Sequence, residues 1–184
     1  SADISRGVLA VAAPNAGIIF FNEADQTVML APDGGVATIQ LASVSMVALG
    51  DDGSGNLVVF ANSGGTTLFS YRFGGDALPS VTLPAVPRGL AWGNGALYAT
   101  ITGAVVAVDG SGAVTTVISD NVGSADGLTM VEVGNATYAF IASSSDSRVY
   151  VHRVSGTPAF IGTLTVKNGS ATVTPKYVAS NNAW

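Results

Sequence analysis

The stretch from Ser124 to Gly156 contains two runs of β-forming residues. Within each run, alternate residues would lie on the same face of a strand. A period of two is the period of a β-strand, because successive side chains point to opposite faces. A serine- and aspartate-rich cluster at residues 143–147 separates the runs and is typical of a turn. Together they predict a β-hairpin, and the shorter run from Ala125 to Met130 predicts a strand before it.

The same pattern of short apolar strands and Gly, Asp, Asn or Ser turns occurs four times along the chain. Its period is about forty residues, which is typical of propeller blades. No segment shows a sustained helical period, so we expect little or no helix. The sequence predicts an all-β fold, a β-propeller of about four four-stranded blades in a single domain over residues 1–184. The predicted blades are Arg6 to Leu41, Ser43 to Leu83, Pro87 to Ser119 and Asp126 to Val166.

The last segment, Ala171 to Trp184, is too short for a fifth blade but long enough for one or two strands. In propellers a closing strand completes the ring and removes exposed sheet edges. We therefore expect Thr174, Tyr177, Val178 and Trp184 to pair either with the first blade of the same chain or with a neighbouring chain.

Charge and composition narrow the classes of function. Charged residues make up 10% of the chain, the net charge is −5, and the seven Lys and Arg residues are scattered. Without a basic stripe, nucleic-acid binding is not expected. The sequence has no cysteine for a disulfide or a thiolate metal site, and no apolar run approaches the ~20 residues of a membrane span. We expect an acidic extracellular or cell-surface protein; the opening at Ser1 suggests processing, a removed leader or a cut from a longer chain.

Two consecutive blades carry a resemblance to a known family. The segments PRGLAWGNGALYATITGAVVAVDG and SADGLTMVEVGNATYAFIASSSDSRVYVHRVSGTPAFIGTLTV are similar to the central blades of the β-propeller (alkaline) phytases. In that family a Glu-Gly-Leu-Thr phrase is followed by a strand that ends in Ala-Ser-Ser. The family's first acidic motif precedes its first blade, whereas the segment most similar to that motif here is Asn181-Asn182-Ala183-Trp184, at the end of the sequence. The resemblance therefore implies a circularly shifted unit, or one repeat of a tandem array.

The resemblance also implies which residues would carry the chemistry. A phytase of this family needs carboxylates that hold calcium at one mouth of the channel, and Lys and Arg that hold phosphate. Asp126 matches the Glu of the Glu-Gly-Leu-Thr phrase, but Asn181 and Asn182 replace two Asp residues and Arg88 replaces a Glu. Because calcium affinity rises with the number of charged ligands, we expect neither a multi-calcium site nor phytase activity.

Three acidic residues are metal candidates, and each has a structural alternative. Asp51 and Asp52, with Asn56, would bind one calcium in a glycine-rich loop, or they form an inter-strand turn. Asp126 is either a calcium ligand or a carboxylate that caps a turn near the channel. His152 is the only histidine, so it builds no triad or zinc site, and we expect it on the exposed face of a middle strand. We predict no catalytic residue and no cofactor other than calcium.

These observations favour a function without catalysis. We expect an extracellular structural and binding β-propeller, a repeating subunit that forms a homo-oligomer or filament through its tail strand. One alternative is a calcium-dependent, phytase-like phosphoesterase with a reduced site at Asp126. A second alternative is a lactonase-like hydrolase, which requires several acidic or histidine side chains at a channel mouth.

Overall fold

The structure is a computed structural model that describes most of the chain. It describes the backbone of residues 7–13, 17–22, 26–30 and 36–40, and both backbone and side chains of residues 44–52, 54, 56–72 and 76–178. The chain divides into two compact units, Ser1–Pro84 and Ala85–Trp184, which we call the first and second units. The assignment of both units to one domain stays a prediction.

The first unit contains two antiparallel four-stranded sheets. Sheet 1 has the order β1-β2-β3-β4 and sheet 2 the order β5-β6-β7-β8, so that each strand pairs with its neighbour in sequence. The first strands of the two sheets, β1 and β5, are in contact. The strands are β1 (Gly7–Ala13), β2 (Gly17–Asn22), β3 (Gln26–Leu30), β4 (Val36–Gln40), β5 (Met46–Asp51), β6 (Leu57–Asn62), β7 (Thr67–Arg72) and β8 (Ala77–Thr82).

The second unit repeats this architecture with two further sheets and a tail. Sheet 3 contains β9 to β12 and sheet 4 contains β13 to β16, again with sequential antiparallel pairing, and β9 contacts β13. The described residues contain no helix, and therefore no helix that could cross a membrane. The predicted all-β class with four four-stranded sheets is thus confirmed. The strands are β9 (Gly89–Gly93), β10 (Ala96–Ile101), β11 (Ala104–Val108), β12 (Val114–Ile118), β13 (Gly127–Val133), β14 (Ala136–Ser143), β15 (Arg148–Arg153) and β16 (Ala159–Thr165).

The core of the second unit lies between sheets 3 and 4. Leu128, Met130, Ala139 and Ile141 line one face of sheet 4, at alternate positions of β13 and β14. They join Tyr98, Val105 and Ile118 of sheet 3 in one buried cluster. Burial of a side chain such as Ile141 stabilises the fold by about 1.5–3 kcal/mol. Step-two alternation therefore translates directly into a shared apolar layer between two sheets.

Each of sheets 2, 3 and 4 begins with the same backbone hydrogen bond. The residue before the first strand donates its N–H to a carbonyl at the end of the second strand. The three bonds run from Ser45 to Asn62 at 2.8 Å, from Arg88 to Thr100 at 2.9 Å, and from Asp126 to Ala142 at 2.8 Å. Arg88 and Asp126 therefore hold equivalent positions in neighbouring sheets of the second unit.

Two glycines allow the chain to pack closely beside these positions. A Cβ on Gly89 would lie 2.8 Å from the backbone nitrogen of Leu128, and one on Gly127 would lie 2.5 Å from the carbonyl oxygen of Lys176. Contacts below 3.0 Å with backbone leave no room for a side chain. The start of β9 thus packs on the start of β13, which in turn packs on the tail.

The tail departs from sheet 4 as a short hairpin. β17 (Lys167–Asn168) and β18 (Ala171–Thr172) pair only with each other, and the described residues that follow, 173–178, form no strand. Thr174 Oγ1 lies 3.3 Å from Ser147 Oγ in the β14–β15 loop. Tyr177 is 83% exposed. Trp184, Asn181 and Asn182 lie outside the described residues, so pairing of the final segment with a blade stays a prediction.

Candidate functional site

The candidate site is a polar cluster at the end of sheets 3 and 4 where β9 and β13 begin. Its centre is an ion pair between Arg88 Nη1 and Asp126 Oδ1 at 3.0 Å. The Arg88 side chain is 44% exposed, whereas that of Asp126 is 18% exposed. Arg88 Nη1 also donates to the carbonyl oxygen of Ser124 at 3.3 Å. The cation therefore holds both the loop before β13 and the first carboxylate oxygen of Asp126.

The second carboxylate oxygen of Asp126 accepts hydrogen bonds from two serines. Ser144 donates its backbone N–H at 2.8 Å and its hydroxyl at 2.5 Å, and the hydroxyl of Ser124 also donates. Burial by itself raises the pKa of Asp126, but the bonds from Ser124, Ser144 and Arg88 stabilise the anion more. They lower the pKa to about 2, so this carboxylate is ionised throughout the neutral range.

A strained loop before β13 places Ser124 and Asp126. Gly123 and Ala125 have φ angles of 56° and 48°, in the left-handed region. A Cβ on Gly123 would lie 2.1 Å from the hydroxyl of Ser143, so only glycine fits there. For Ala125, which is fully buried, this conformation costs about 1–2 kcal/mol. The cost is offset by the hydrogen bonds of the loop, including Ser124 N–H to Ser143 Oγ at 3.0 Å.

A second carboxylate, Asp146, lies in the loop between β14 and β15. It accepts hydrogen bonds from the hydroxyls of Ser143, Ser145 and Tyr150. These bonds, with Ser143 and Ser145 contributing most, lower the pKa of Asp146, while the bond to Asp146 raises the pKa of Tyr150. The sequence predicted this segment only as a turn, because no spacing rule shows that its hydroxyls converge on one carboxylate.

A cavity of about 290 Å³ opens beside the ion pair. It is lined by Arg88, Asp126, Lys176 and Tyr177. Tyr177 was predicted as a ring-closing residue, and its closing role is untested. Lys176 was not predicted at all, although Pro175-Lys176 repeats the Pro87-Arg88 pair that precedes β9. The cavity thus brings together the predicted metal candidate Asp126 with two cations.

The other two acidic candidates lie in the first unit. Asp52 accepts from Ser54 N–H at 3.0 Å, Asn56 N–H at 3.2 Å, Asn56 Nδ2 at 2.9 Å and Arg72 Nε at 3.2 Å. The bonds from Asn56 and Ser54 are the main causes that lower its pKa to about 2. Asp51 ends β5, opposite Leu57. The structure therefore has Asp52 organising an inter-strand turn, one of the two alternatives that the sequence left open.

The same turn occurs again in sheet 3. Asp109 Oδ1 accepts from Ser111 N–H at 2.8 Å and Ala113 N–H at 3.0 Å, in the sequence Asp109-Gly110-Ser111-Gly112-Ala113. Asp52 does so in the matching sequence Asp52-Gly53-Ser54-Gly55-Asn56. Within the described residues, no group of three His, Asp or Glu side chains is placed to hold a metal ion. Calcium binding at Asp51, Asp52 or Asp126 stays a prediction.

The expectation for His152 is wrong. It lies on the middle strand β15 as predicted, but it is 3% exposed rather than on an exposed face. Its Nε2 lies 2.8 Å from the carbonyl oxygen of Asn121, and its ring packs on Phe160 with centroids 5.2 Å apart. The Asn121 carbonyl belongs to the segment before β13, so this contact joins residues 31 positions apart, which strand periodicity does not encode.

Comparisons with known proteins show the fold. No protein-family model matches the chain, and no curated protein matches it. BBS1N, in a complex with ARL6DN, is 16% identical with a TM-score of 0.67, over 85% of this chain and 52% of that one. Streptogramin B lyase is 16% identical with a TM-score of 0.64, over 88% and 55%. Virginiamycin B lyase from Staphylococcus aureus is 16% identical with a TM-score of 0.62, over 88% and 56%.

These solved structures have β-propeller folds, which confirms the predicted fold class. The chain spans about half the length of the solved structures that it matches. They include a protein held in a complex and two lyases, so the fold is compatible with binding and with catalysis. None of the three is a phytase, and the resemblance to that family stays a prediction.

Proposed function

We propose that this protein is a structural and binding β-propeller, without catalytic activity, that assembles with copies of itself through its tail. The observation that carries this proposal is the outer edge of sheet 4, where β16 pairs with no further strand among the described residues. Its last strand, β16, has no charged residue and exposes Phe160, Ile161 and Leu164 at 42%, 56% and 52%. Natural proteins normally protect such edges with charges, proline or a covering segment, because unpaired N–H and C=O groups recruit further strands.

The described part of the tail, up to Val178, does not pair with this edge. Sheet 4 has the order β13-β14-β15-β16, and Lys176 and Tyr177 lie against Gly127 at the β13 side. Three strand spacings, roughly 14 Å, separate the two edges. A tail supplied by a second copy is therefore the occupant that we propose for β16, in the manner of strand addition.

The state of the acidic side chains supports a binding rather than a hydrolytic role. Both oxygens of Asp126 are bound by Arg88, Ser124 and Ser144, and Asp52 is bound by Asn56, Ser54 and Arg72. A calcium ion at either carboxylate would have to displace these donors. The proposal includes a location outside the cell or at its surface, supported by the absence of cysteine. Labelling of intact and lysed cells with an antibody tests that location.

An engineered disulfide tests the assembly, because the sequence contains no cysteine. The double variant Thr163→Cys, Tyr177→Cys places one thiol on β16 and one on the tail. Within a chain, β16 and the β13 side where Tyr177 lies are about three strand spacings, roughly 14 Å, apart. This exceeds the ~7 Å limit for a disulfide, so a bond can form only between chains. We expect covalent dimers and longer chains on a non-reducing gel. The single variants are the control, because one exposed thiol per chain allows at most a symmetric dimer; a double variant that forms no species longer than theirs would overturn the proposal.

Sedimentation velocity provides a second test without crosslinking. Ile161→Lys places a charge on the open edge, and we expect it to shift the protein to monomer at concentrations where the unmodified chain associates. Val133→Lys is the matched control, since Val133 is also apolar and 60% exposed but lies at the end of β13. An unmodified chain that stays monomeric at every concentration, or an equal effect of both variants, would contradict assembly through β16.

A further inference from the structure

The cavity beside the Arg88–Asp126 pair contains a positive charge that the described fold leaves uncompensated. Arg88 and Lys176 contribute two positive charges to its lining, and Asp126 contributes one negative charge. Asp126 is already paired with Arg88. Lys176 forms no ion pair with any residue that the structure describes. The lining therefore has a net charge of +1, because the charge of the exposed Lys176 is not balanced by a carboxylate.

The arginine keeps part of its hydrogen-bonding capacity for a ligand. Only Nη1 of Arg88 donates within the described region, to Asp126 Oδ1 and to the Ser124 carbonyl. The other nitrogens, Nε and Nη2, remain as donors on a guanidinium that is 44% exposed. Two parallel N–H groups of arginine match the two oxygens of a carboxylate, and such bidentate pairs are among the stronger hydrogen bonds.

The position of the lysine follows from the repeat. Gly89 packs against the backbone of Leu128 just as Gly127 packs against the backbone of Lys176 and Tyr177. The Lys176–Tyr177 peptide therefore lies against the start of β13 as the Gly127–Leu128 peptide lies against the start of β9. The cavity forms where the tail meets β13, next to the Arg88–Asp126 pair.

We propose that this cavity binds a small monocarboxylate, held by Arg88 and Lys176. The net charge of the lining matches one negative charge, and the nearby carboxylate of Asp126 disfavours a dianion such as phosphate. The exposed ring of Tyr177 supplies an apolar surface for the rest of the molecule. A volume of about 290 Å³ is at the small end of ligand pockets, which suits a compact ligand. The site lies at the β13 side of sheet 4, away from β16, but Lys176 and Tyr177 belong to the tail, so the site exists only in a copy whose own tail stays beside Gly127.

Benzoate is a suitable probe, followed by nuclear magnetic resonance titration of the backbone amides. We expect saturable shifts at residues around Arg88, Asp126 and Tyr177, and weaker binding of inorganic phosphate at the same ionic strength. Lys176→Gln is expected to weaken benzoate binding about two- to fivefold, as for an exposed ion pair. Lys167→Gln is the matched control, since it removes the same charge from the exposed hairpin β17–β18.

A variant with the opposite sign makes the test sharper. Asp126→Asn removes the negative charge of the cavity, so we expect benzoate to bind several-fold more tightly and phosphate to become a competitor. Thermal unfolding of each variant shows whether it remains folded. If Asp126→Asn does not fold, Lys176→Gln still tests the proposal. Absence of saturable shifts, equal weakening by Lys167→Gln, or tighter binding of phosphate than benzoate to the unmodified chain would overturn the proposal.

Discussion

Arg88 and Asp126 occupy the same position in two neighbouring sheets, each just before a first strand, and they form an ion pair of 3.0 Å between Nη1 and Oδ1. They are 38 residues apart in sequence. The pair joins the beginnings of β9 and β13, where the backbones of the two sheets also pack closely at Gly89. The Arg88–Asp126 ion pair and the close backbone packing at Gly89 thus hold the start of β9 against the start of β13.

The ionisation of Asp126 is expected to make stability depend on pH in the acid range. Its folded pKa of about 2 lies below the ordinary value of 3.8, so the folded state binds the proton less readily than the unfolded state. The stabilisation is complete above about pH 4 and is lost as the pH falls through about 2. It amounts to at most about 2 kcal/mol, because the exposed Arg88 partner is screened by solvent.

Urea unfolding between these pH values measures this effect. Asp126→Asn is expected to lower the free energy of unfolding at neutral pH and to lose less stability on acidification than the unmodified chain. Asp76→Asn, at an exposed position of the first unit, is the control for a change of net charge. An equally steep loss in Asp126→Asn and the unmodified chain would show that this carboxylate does not cause the acid sensitivity.

Gly123 is expected to tolerate alanine much less well than Gly134. Its φ of 56° disfavours any side chain, and the added Cβ would also collide with the side chain of Ser143. Gly134 has a similar φ of 60° with nothing within 4 Å of its Cβ position, so Gly134→Ala isolates the backbone strain of about 1 kcal/mol. We expect Gly123→Ala to cost at least about 2 kcal/mol more in urea unfolding. Equal costs would mean that the loop moves away from Ser143.

Removal of the His152 ring is expected to destabilise the second unit by about 2–4 kcal/mol. The alanine variant loses the contact with Phe160 and leaves the buried interaction with the Asn121 carbonyl unmade. Thr163→Ala, on the exposed neighbouring strand β16, is the control and is expected to change stability by less than about 0.5 kcal/mol. A cost for His152→Ala as small as that of the control would contradict the buried position of the ring.

Calcium is expected to have no effect on thermal stability. Any ligand that binds the folded state alone raises the unfolding temperature with its concentration. The oxygens of Asp126 and Asp52 are already bound by protein donors, so calcium gains little by replacing them. Scanning calorimetry with a chelator and with millimolar calcium measures this, and magnesium is the control for ionic strength. A calcium-specific rise in unfolding temperature that disappears in Asp126→Asn would support the alternative of a calcium-dependent phosphoesterase.

Sequence periodicity determined the strands and the turns of this protein. Step-two alternation and the Gly, Asp, Asn and Ser positions gave the four four-stranded sheets, and the repeated Asp-Gly-Ser-Gly segments are turns with the same hydrogen bonds at Asp52 and Asp109. These features depend on residues that are neighbours in sequence. Local backbone preference and the pairing of adjacent strands are therefore enough to specify them.

Only the tertiary structure decided which side chains meet. Arg88 and Asp126 meet because sheets 3 and 4 pack start against start, and Lys176 joins them because the tail packs on Gly127. The ring of His152 meets the Asn121 carbonyl, which comes from the segment before β13. Such contacts join segments that are tens of residues apart, and they depend on how one sheet is placed on the next. A strand pattern gives the face on which a residue lies, but the free energy of packing between sheets determines what that face touches.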